Sequence, residues 1–369
     1  MIYLDSAATS FLKPKSVKAA MISALDTCSS PGRGAYTAAM RAADKVYECR
    51  ETACRLFNFQ KPENVVFTQN ATHALNLAIR SLARADSRVL ISGYEHNSVT
   101  RPLKELGASV SVAAGELFDG KSVVRAFEEK LDGADLVVCN HVSNVFGFIQ
   151  PVYDIADMCR ARGVPIIIDA SQSAGVEALD ASRLGAAFIA MPGHKGLLGP
   201  QGTGILLCNE MPEPLLSGGT GSESMLQTMP RYLPDVAEAG THNVVGIAGL
   251  CAGMKYVLSR GAERIGEHEK SLCRASAERL GRLNELEVFA DNGTAQSGVL
   301  SFRHRSIDCE SFCEMLGRHG IAARCGLHCA PLAHKSAGTE KTGTVRISFS
   351  PFISRADVMR ACNVIEKLA

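Results

Sequence analysis

Residues 163–173 read GVPIIIDASQS, an apolar, β-branched run of one strand's length that ends on Asp169 and passes into small polar residues. A run without polar alternation suits a strand buried on both faces. The pattern recurs on either side. Upstream lie ENVVFT (63–68), SRVLISG (87–93), ASVSVAA (108–114) and ADLVVCNHV (134–142), and downstream lies AAFIAMPG (186–193). Helical patterns fall between several of them, including ATHALNLAIRSLAR (71–84), SVVRAFEEKL (122–131) and PVYDIADMCRARG (151–163). Strand–helix alternation of this kind predicts an α/β fold with a mostly parallel sheet covered on both faces by helices. Ligands of such sheets sit beyond the carboxyl ends of the strands, so the polar residues found there are the candidates.

After about Thr241 the pattern changes. Residues 244–286 read as one or two long helices. They lead to GVLSFRH (298–304), a helix around Cys309 to Arg318, the run RCGLHCAPLAHK (324–335), GTVRISFS (343–350) and a final helix from Ser354. Strands and helices mixed this way predict a smaller α+β domain. A length of 369 residues suits two domains. The net charge of +1 excludes a nucleic-acid binder or a polybasic membrane-surface protein. No signal peptide and no apolar run of spanning length is visible, which leaves a cytosolic (cytoplasmic) protein as the expectation. The 13 cysteines are odd in number and scattered, so most are expected to be reduced, buried small hydrophobes. No metal is expected, because Cys325-x3-Cys329 and its echo Cys309-x3-Cys313 match zinc spacings poorly.

At the strand ends, Asp169 is followed three residues later by Gln172, and Lys195 stands inside the glycine-rich run AMPGHKGLLGPQGTG (190–204). Asp169 also suits a helix cap, and a loop lysine is ordinarily solvated. The glycines weigh against that reading of Lys195, since they admit close backbone approach. A lysine kept dry forms Schiff bases, and an acidic partner on a ring nitrogen completes the requirement of pyridoxal 5'-phosphate. FTQNATHALN (67–76) offers a helix start whose N–H groups and Thr72 hydroxyl suit a phosphate. His96 of YEHNS (94–98) is placed to stack on a ring.

Taken together, the chain resembles the class V aminotransferase-fold pyridoxal-phosphate enzymes, most closely the cysteine desulfurase and selenocysteine lyase group with a compact catalytic loop. The resemblance runs nearly end to end. It is carried by YLDSAATS (3–10), PGRGA (31–35), FTQNATHALNLA (67–78), EHNSV (95–99), HVSNVFG (141–147), DASQS (169–173), GHKGLLGPQGTG (193–204), EAGTHN (238–243) and RCGLHCAPL (324–332). It implies the fold type I transferase architecture, with a large cofactor domain over 16–247 and a small α+β domain from 1–15 and 248–369. It implies that Lys195 forms the Schiff base, Asp169 holds the pyridinium nitrogen, Gln172 faces the phenolic oxygen and His96 stacks on the ring and shuttles protons. The Ala71 N–H, Thr72 and His194 would face the phosphate, and Thr241 would reach the phosphate of a neighbouring subunit in a homodimer. Asn144 would lie near the substrate, Arg346 would clamp its carboxylate and Arg324 would support that clamp.

On the same resemblance Cys329 is the nucleophile that takes sulfur from L-cysteine as a persulfide, leaving L-alanine, and passes it to an acceptor protein. The rate depends on the thiolate fraction, which His328 and Arg324 would raise. Cys325 is left with three roles, namely relay, disulfide partner or space-filler, the last being the expectation. Selenocysteine lyase stays open, as does an aminotransferase or β-lyase on the same fold. A non-catalytic sulfur carrier and a zinc module rank behind them. Two positions depart from the pattern. Pro192 stands where many relatives carry a phosphate-binding hydroxyl, and Arg33-Gly34-Ala35-Tyr36 stands where many read Arg-Gly-x-His.

Overall fold

A computed structural model describes residues 1–32, 34–291 and 293–369; Arg33 lies outside the described residues. Seven strands form the main sheet in the order Val65–Thr68, Gly204–Cys208, Phe188–Pro192, Ile166–Asp169, Leu136–Asn140, Arg88–Ser92, Ser109–Ala113. The last five in that order pair in parallel. Gly204–Cys208 runs antiparallel to both of its neighbours. The sequence reading did not assign that strand, because its five residues follow directly on the glycine-rich run and have no helix between them and the strand before.

Side-chain alternation explains why the central strands read as continuous apolar runs. Val137, Cys139, Ile166, Ile168, Ile189 and Met191 enter the core on one face, and Leu136, Val138, Ile167, Phe188 and Ala190 enter the core on the other. The second face is covered by Leu75, Ala78 and Ile79 of helix Ala71–Leu82 and by Val99 and Leu103 of helix Asn97–Leu106. The first is covered by Val123 and Phe127 of helix Gly120–Glu128 and by Ile155 and Cys159 of helix Val152–Ala161. Each fully buried aliphatic side chain of this kind contributes about 1.5–3 kcal/mol relative to exposure.

The second sheet is antiparallel, in the order Arg324–Gly326, Thr344–Ser348, Val299–His304, Leu286–Phe289. Its core takes Leu300, Phe302, Val345 and Ile347 together with Leu272 and Leu280 of helix Ala262–Leu280 and Val358 and Ile365 of helix Arg355–Leu368. Leu4 belongs to the same core, and Ile2–Tyr3 pairs in parallel with Ile321–Ala322. The long helical pattern after Thr241 is two helices, Val244–Arg260 and Ala262–Leu280, broken at Gly261 with φ +84°.

Candidate active site

Five strand ends and the loop after Gly326 converge on one cavity of about 220 Å³. It is lined by Ala71, Thr72, His96, Asn144, Asp169, Gln172, His194, Lys195, Arg324, His328, Cys329 and Arg346. Thr241 is the one proposed site residue that this cavity does not gather. It is exposed and lines a separate cavity of about 180 Å³ with Gly202, Thr203 and His242.

One end of the cavity is the start of helix Ala71–Leu82. Asn70 caps it, its Oδ1 accepting from the His73 N–H at 2.9 Å and its carbonyl from the Ala74 N–H at 3.1 Å. The N–H groups of Ala71 and Thr72 are left free among the described residues, at the positive end of the helix. The Thr72 hydroxyl lies 2.8 Å from Ser98 Oγ, and Ser98 Oγ lies 2.9 Å from His96 Nδ1.

His96 is the N-cap of helix Asn97–Leu106, its Nδ1 accepting from the Ser98 N–H at 3.0 Å. Burial, with the Lys195 and Arg101 charges, pushes its pKa down to about 4 against the pull of Asp169. The ring is therefore neutral, with its hydrogen on Nε2. Asp169 is buried, and one of its carboxylate oxygens accepts from the Ser171 N–H at 2.9 Å. Lys195 faces the cavity while the surrounding protein desolvates it, which lowers its pKa to about 8. Asp169 opposes that shift, and Arg346 and Arg324 add to it. Its Nζ has no hydrogen-bond partner among the described residues. The glycine beside it is required by close packing, because a Cβ on Gly196 would sit 2.4 Å from the Ala174 carbonyl oxygen.

Register in the second sheet sets Arg324 directly across from Arg346. Asp5 lies between the two guanidinium groups, with Oδ1 2.9 Å from Arg346 Nη2 and Oδ2 3.4 Å from Arg324 Nε. Arg346 is 2% exposed, donates from Nη1 to the Asn144 carbonyl at 2.8 Å, and has a buried Nε without a partner. That donor is unspent among the described residues.

Cys329 is exposed and lies in the left-handed region with φ +56°, directly after His328 with φ +49°. Both carbonyls are held. The Asn97 N–H donates to Cys329 O, and Asn144 Nδ2 donates to His328 O, each at 2.8 Å. His328 corrects one expectation. Burial and the Arg346 charge push its pKa down to about 2, and its Nε2 donates to the Thr344 carbonyl at 3.1 Å. It is neutral and supplies no charge to Cys329. Cys325 follows Arg324 on a strand, so with Arg324 in the cavity it points to the opposite face. There it packs against the core of the second sheet, beside Cys313 of helix Cys309–Arg318. That placement suits a space-filling role.

Sequence reasoning missed three contributors. Asp5 sits in a quoted motif but gains its meaning from the pairing of Arg324 and Arg346. Ser98 carries no signal beyond its spacing of two from His96. Glu95 is fully buried behind Asp169, and burial together with the Asp169 charge pushes its pKa up to about 8. Its Oε1 accepts from Ser92 Oγ at 2.5 Å and the Asn140 N–H at 2.7 Å. Among the described residues no cluster of three or more His, Cys, Asp or Glu is placed to hold a metal ion.

The family model for class-V aminotransferases matches residues 2–360. A probable cysteine desulfurase of Pyrococcus abyssi is 32% identical over 385 residues, covering 100% of this chain and 94% of that protein. One of Methanothermobacter thermautotrophicus is likewise 32% identical, with the same coverage. Among solved structures, the apo cysteine desulfurase of Thermococcus onnurineus NA1 superposes with a TM-score of 0.92 at 32% identity, covering 100% of this chain and 94% of that one. The cysteine desulfurase CsdA of Escherichia coli superposes with a TM-score of 0.86 at 25% identity, with the same coverage. The chain belongs to the class-V aminotransferase family and has its fold.

Proposed function

We propose that the chain is a pyridoxal-phosphate-dependent cysteine desulfurase that converts L-cysteine to L-alanine and carries the sulfur on Cys329. The observation that carries this reading is the convergence of Lys195, Asp169, Arg346 and Cys329 on one cavity from two sheets. The residues present fit the cofactor: a lysine amine and two N–H groups at a helix start that have no partner among the described residues, and a buried carboxylate at the next strand end.

Lys195 would hold the cofactor, Asp169 its ring nitrogen and Gln172 its phenolic oxygen, with His96 over the ring. Ala71, Thr72 and His194 would take its phosphate, helped by Thr241 from a second copy of the chain. When bound, the cofactor withdraws electrons from the substrate's α-carbon. Arg346, backed by Arg324, binds the substrate carboxylate, and Asn144 lies beside it. Lys195, whose lowered pKa of about 8 leaves part of its amine uncharged near neutral pH, takes the α-proton at Nζ and returns it. Cys329 Sγ, as thiolate, attacks the substrate sulfur. An S–S bond forms, the substrate's C–S bond breaks, its electron pair is protonated, and alanine leaves. Cysteine plus the thiol thus becomes alanine plus the persulfide, with no external oxidant. An exposed Cys329 suits delivery to an acceptor protein.

Thirteen unpaired cysteines suit a reducing, cytosolic compartment, and no described helix is long and apolar enough to cross a membrane. The main sheet falls within 16–247 and the antiparallel sheet within 248–369, which supports the proposed two-domain division. The experiment is alanine and reductant-dependent sulfide release from L-cysteine, wild type beside Cys329→Ala, with L-selenocysteine in parallel. Wild-type alanine formation that the variant loses on cysteine supports the reading. Equal activity of the two proteins on every substrate overturns it.

A further inference from the structure

Pro192 ends the strand that leads to His194 and Lys195, and it lines the cavity without offering an O–H or an N–H. His194 does not make good the loss. Its ring is already counted toward the phosphate alongside the hydroxyl that many relatives carry at 192, so it is no replacement for that hydroxyl; Thr9 Oγ1 donates to the His194 carbonyl at 3.2 Å and lies 3.1 Å from His194 Nδ1. Burial and the Lys195 charge push the ring's pKa down to about 4.

One further hydroxyl faces this end of the cavity. Ser98 is 8% exposed, lines the same cavity as Thr72 and Pro192, and stands 2.8 Å from Thr72 Oγ1 and 2.9 Å from His96 Nδ1. The Nδ1 lone pair is already engaged by the Ser98 N–H at 3.0 Å. The Ser98 O–H is therefore available to Thr72 Oγ1, and a Thr72 hydroxyl that accepts there has its own hydrogen free for an anion.

We infer that Ser98 is a positioning residue of the phosphate cradle. It turns the Thr72 O–H toward the cofactor's phosphate and so stands in for the hydroxyl that Pro192 lacks. The inference rests on the proposed function, in that the phosphate is taken to bind at the start of helix Ala71–Leu82. It implies that positions 98 and 192 exchange one duty, with a hydroxyl at either sufficing.

The test is equilibrium binding to the cofactor-free protein, read by absorbance and fluorescence, with pyridoxal 5'-phosphate and with pyridoxal, which has the same ring and aldehyde but no phosphate. Ser98→Ala is expected to weaken pyridoxal 5'-phosphate about fivefold to thirtyfold, the loss of one hydrogen bond serving a charged group. Pyridoxal is expected to bind it as it binds wild type, and Pro192→Ser added to Ser98→Ala is expected to recover most of the lost affinity. Unchanged pyridoxal 5'-phosphate affinity in Ser98→Ala overturns the inference, as does an equal loss for both aldehydes, which would place the effect at the ring. A phosphate-specific loss that Pro192→Ser fails to recover overturns the exchange of duty. In each of these cases wild type still binds the cofactor, whereas a wild type that takes up neither aldehyde overturns the proposed function itself.

Discussion

Asn144→Ala should uncouple Cys329 from the rest of the site. His328 and Cys329 are consecutive non-glycine residues at φ +49° and +56°, a conformation that costs roughly 1–2 kcal/mol per residue. Two hydrogen bonds hold it, from the Asn97 N–H to Cys329 O and from Asn144 Nδ2 to His328 O, each 2.8 Å long. Removing the amide leaves a carbonyl without a partner beside the buried His328 ring, a penalty of about 1–3 kcal/mol. The loop conformer should then lose roughly 5- to 150-fold in population. Cofactor uptake should stay near wild type, since the Asn144 carbonyl, which receives Arg346 Nη1, is backbone and remains. The assay is single-turnover alanine formation from L-cysteine, paired with amide exchange over residues 326–330. The rate should fall by that factor while exchange in the loop accelerates. Asn144→Asp, which sets an acceptor against an acceptor, should do at least as much damage. Wild-type sulfur-transfer rates and wild-type exchange in both variants would refute the reasoning.

Three other outcomes are expected. Glu95 has its folded pKa raised to about 8 from 4.5, so its contribution to stability is fully present below the ordinary value and is lost as pH rises through 8. Glu95→Gln keeps the acceptor for Ser92 Oγ and the Asn140 N–H, so its Tm advantage over wild type should widen from pH 5 to 8 and then level; a flat difference contradicts the buried neutral acid. Lys195 in the cofactor-free protein should react with amine reagents along a curve centred near pH 8, below the 10.5 of ordinary lysines, as read by peptide mass spectrometry; titration alongside surface lysines would contradict its desolvation. Gly196→Ala brings a Cβ to 2.4 Å from the Ala174 carbonyl oxygen and should cost about 1–3 kcal/mol of stability while displacing Lys195, seen as a lower Tm and weaker cofactor uptake.

Much of this was legible in the chain because the site is built at strand ends. Asp169 and Lys195 close apolar runs whose burial on both faces makes them easy to read, and Ala71 and Thr72 follow a capped helix start. What escaped depends on contacts between distant segments. Asp5 matters only once register sets Arg324 beside Arg346. Ser98 matters only where two helix starts meet, and Glu95 only where its oxygen meets the Asn140 N–H of another strand. The charge expected of His328 vanished because folding buries that ring against Thr344, and local sequence does not report desolvation. Gly204–Cys208 went unassigned because antiparallel insertion into a parallel sheet leaves no helix as a marker. The role proposed for Thr241 lies in a relation between two chains, and within one chain the residue is exposed.

The most direct test of the central claim is to locate the sulfur. Cofactor-loaded protein is mixed with L-cysteine without reductant, quenched and digested, and the Cys329 peptide is weighed against alanine released. The account predicts one additional sulfur atom on Cys329 for each alanine formed in the first turnover, with the other twelve cysteines unmodified. Alanine release with an unmodified Cys329, or sulfur carried on a different thiol, would contradict it.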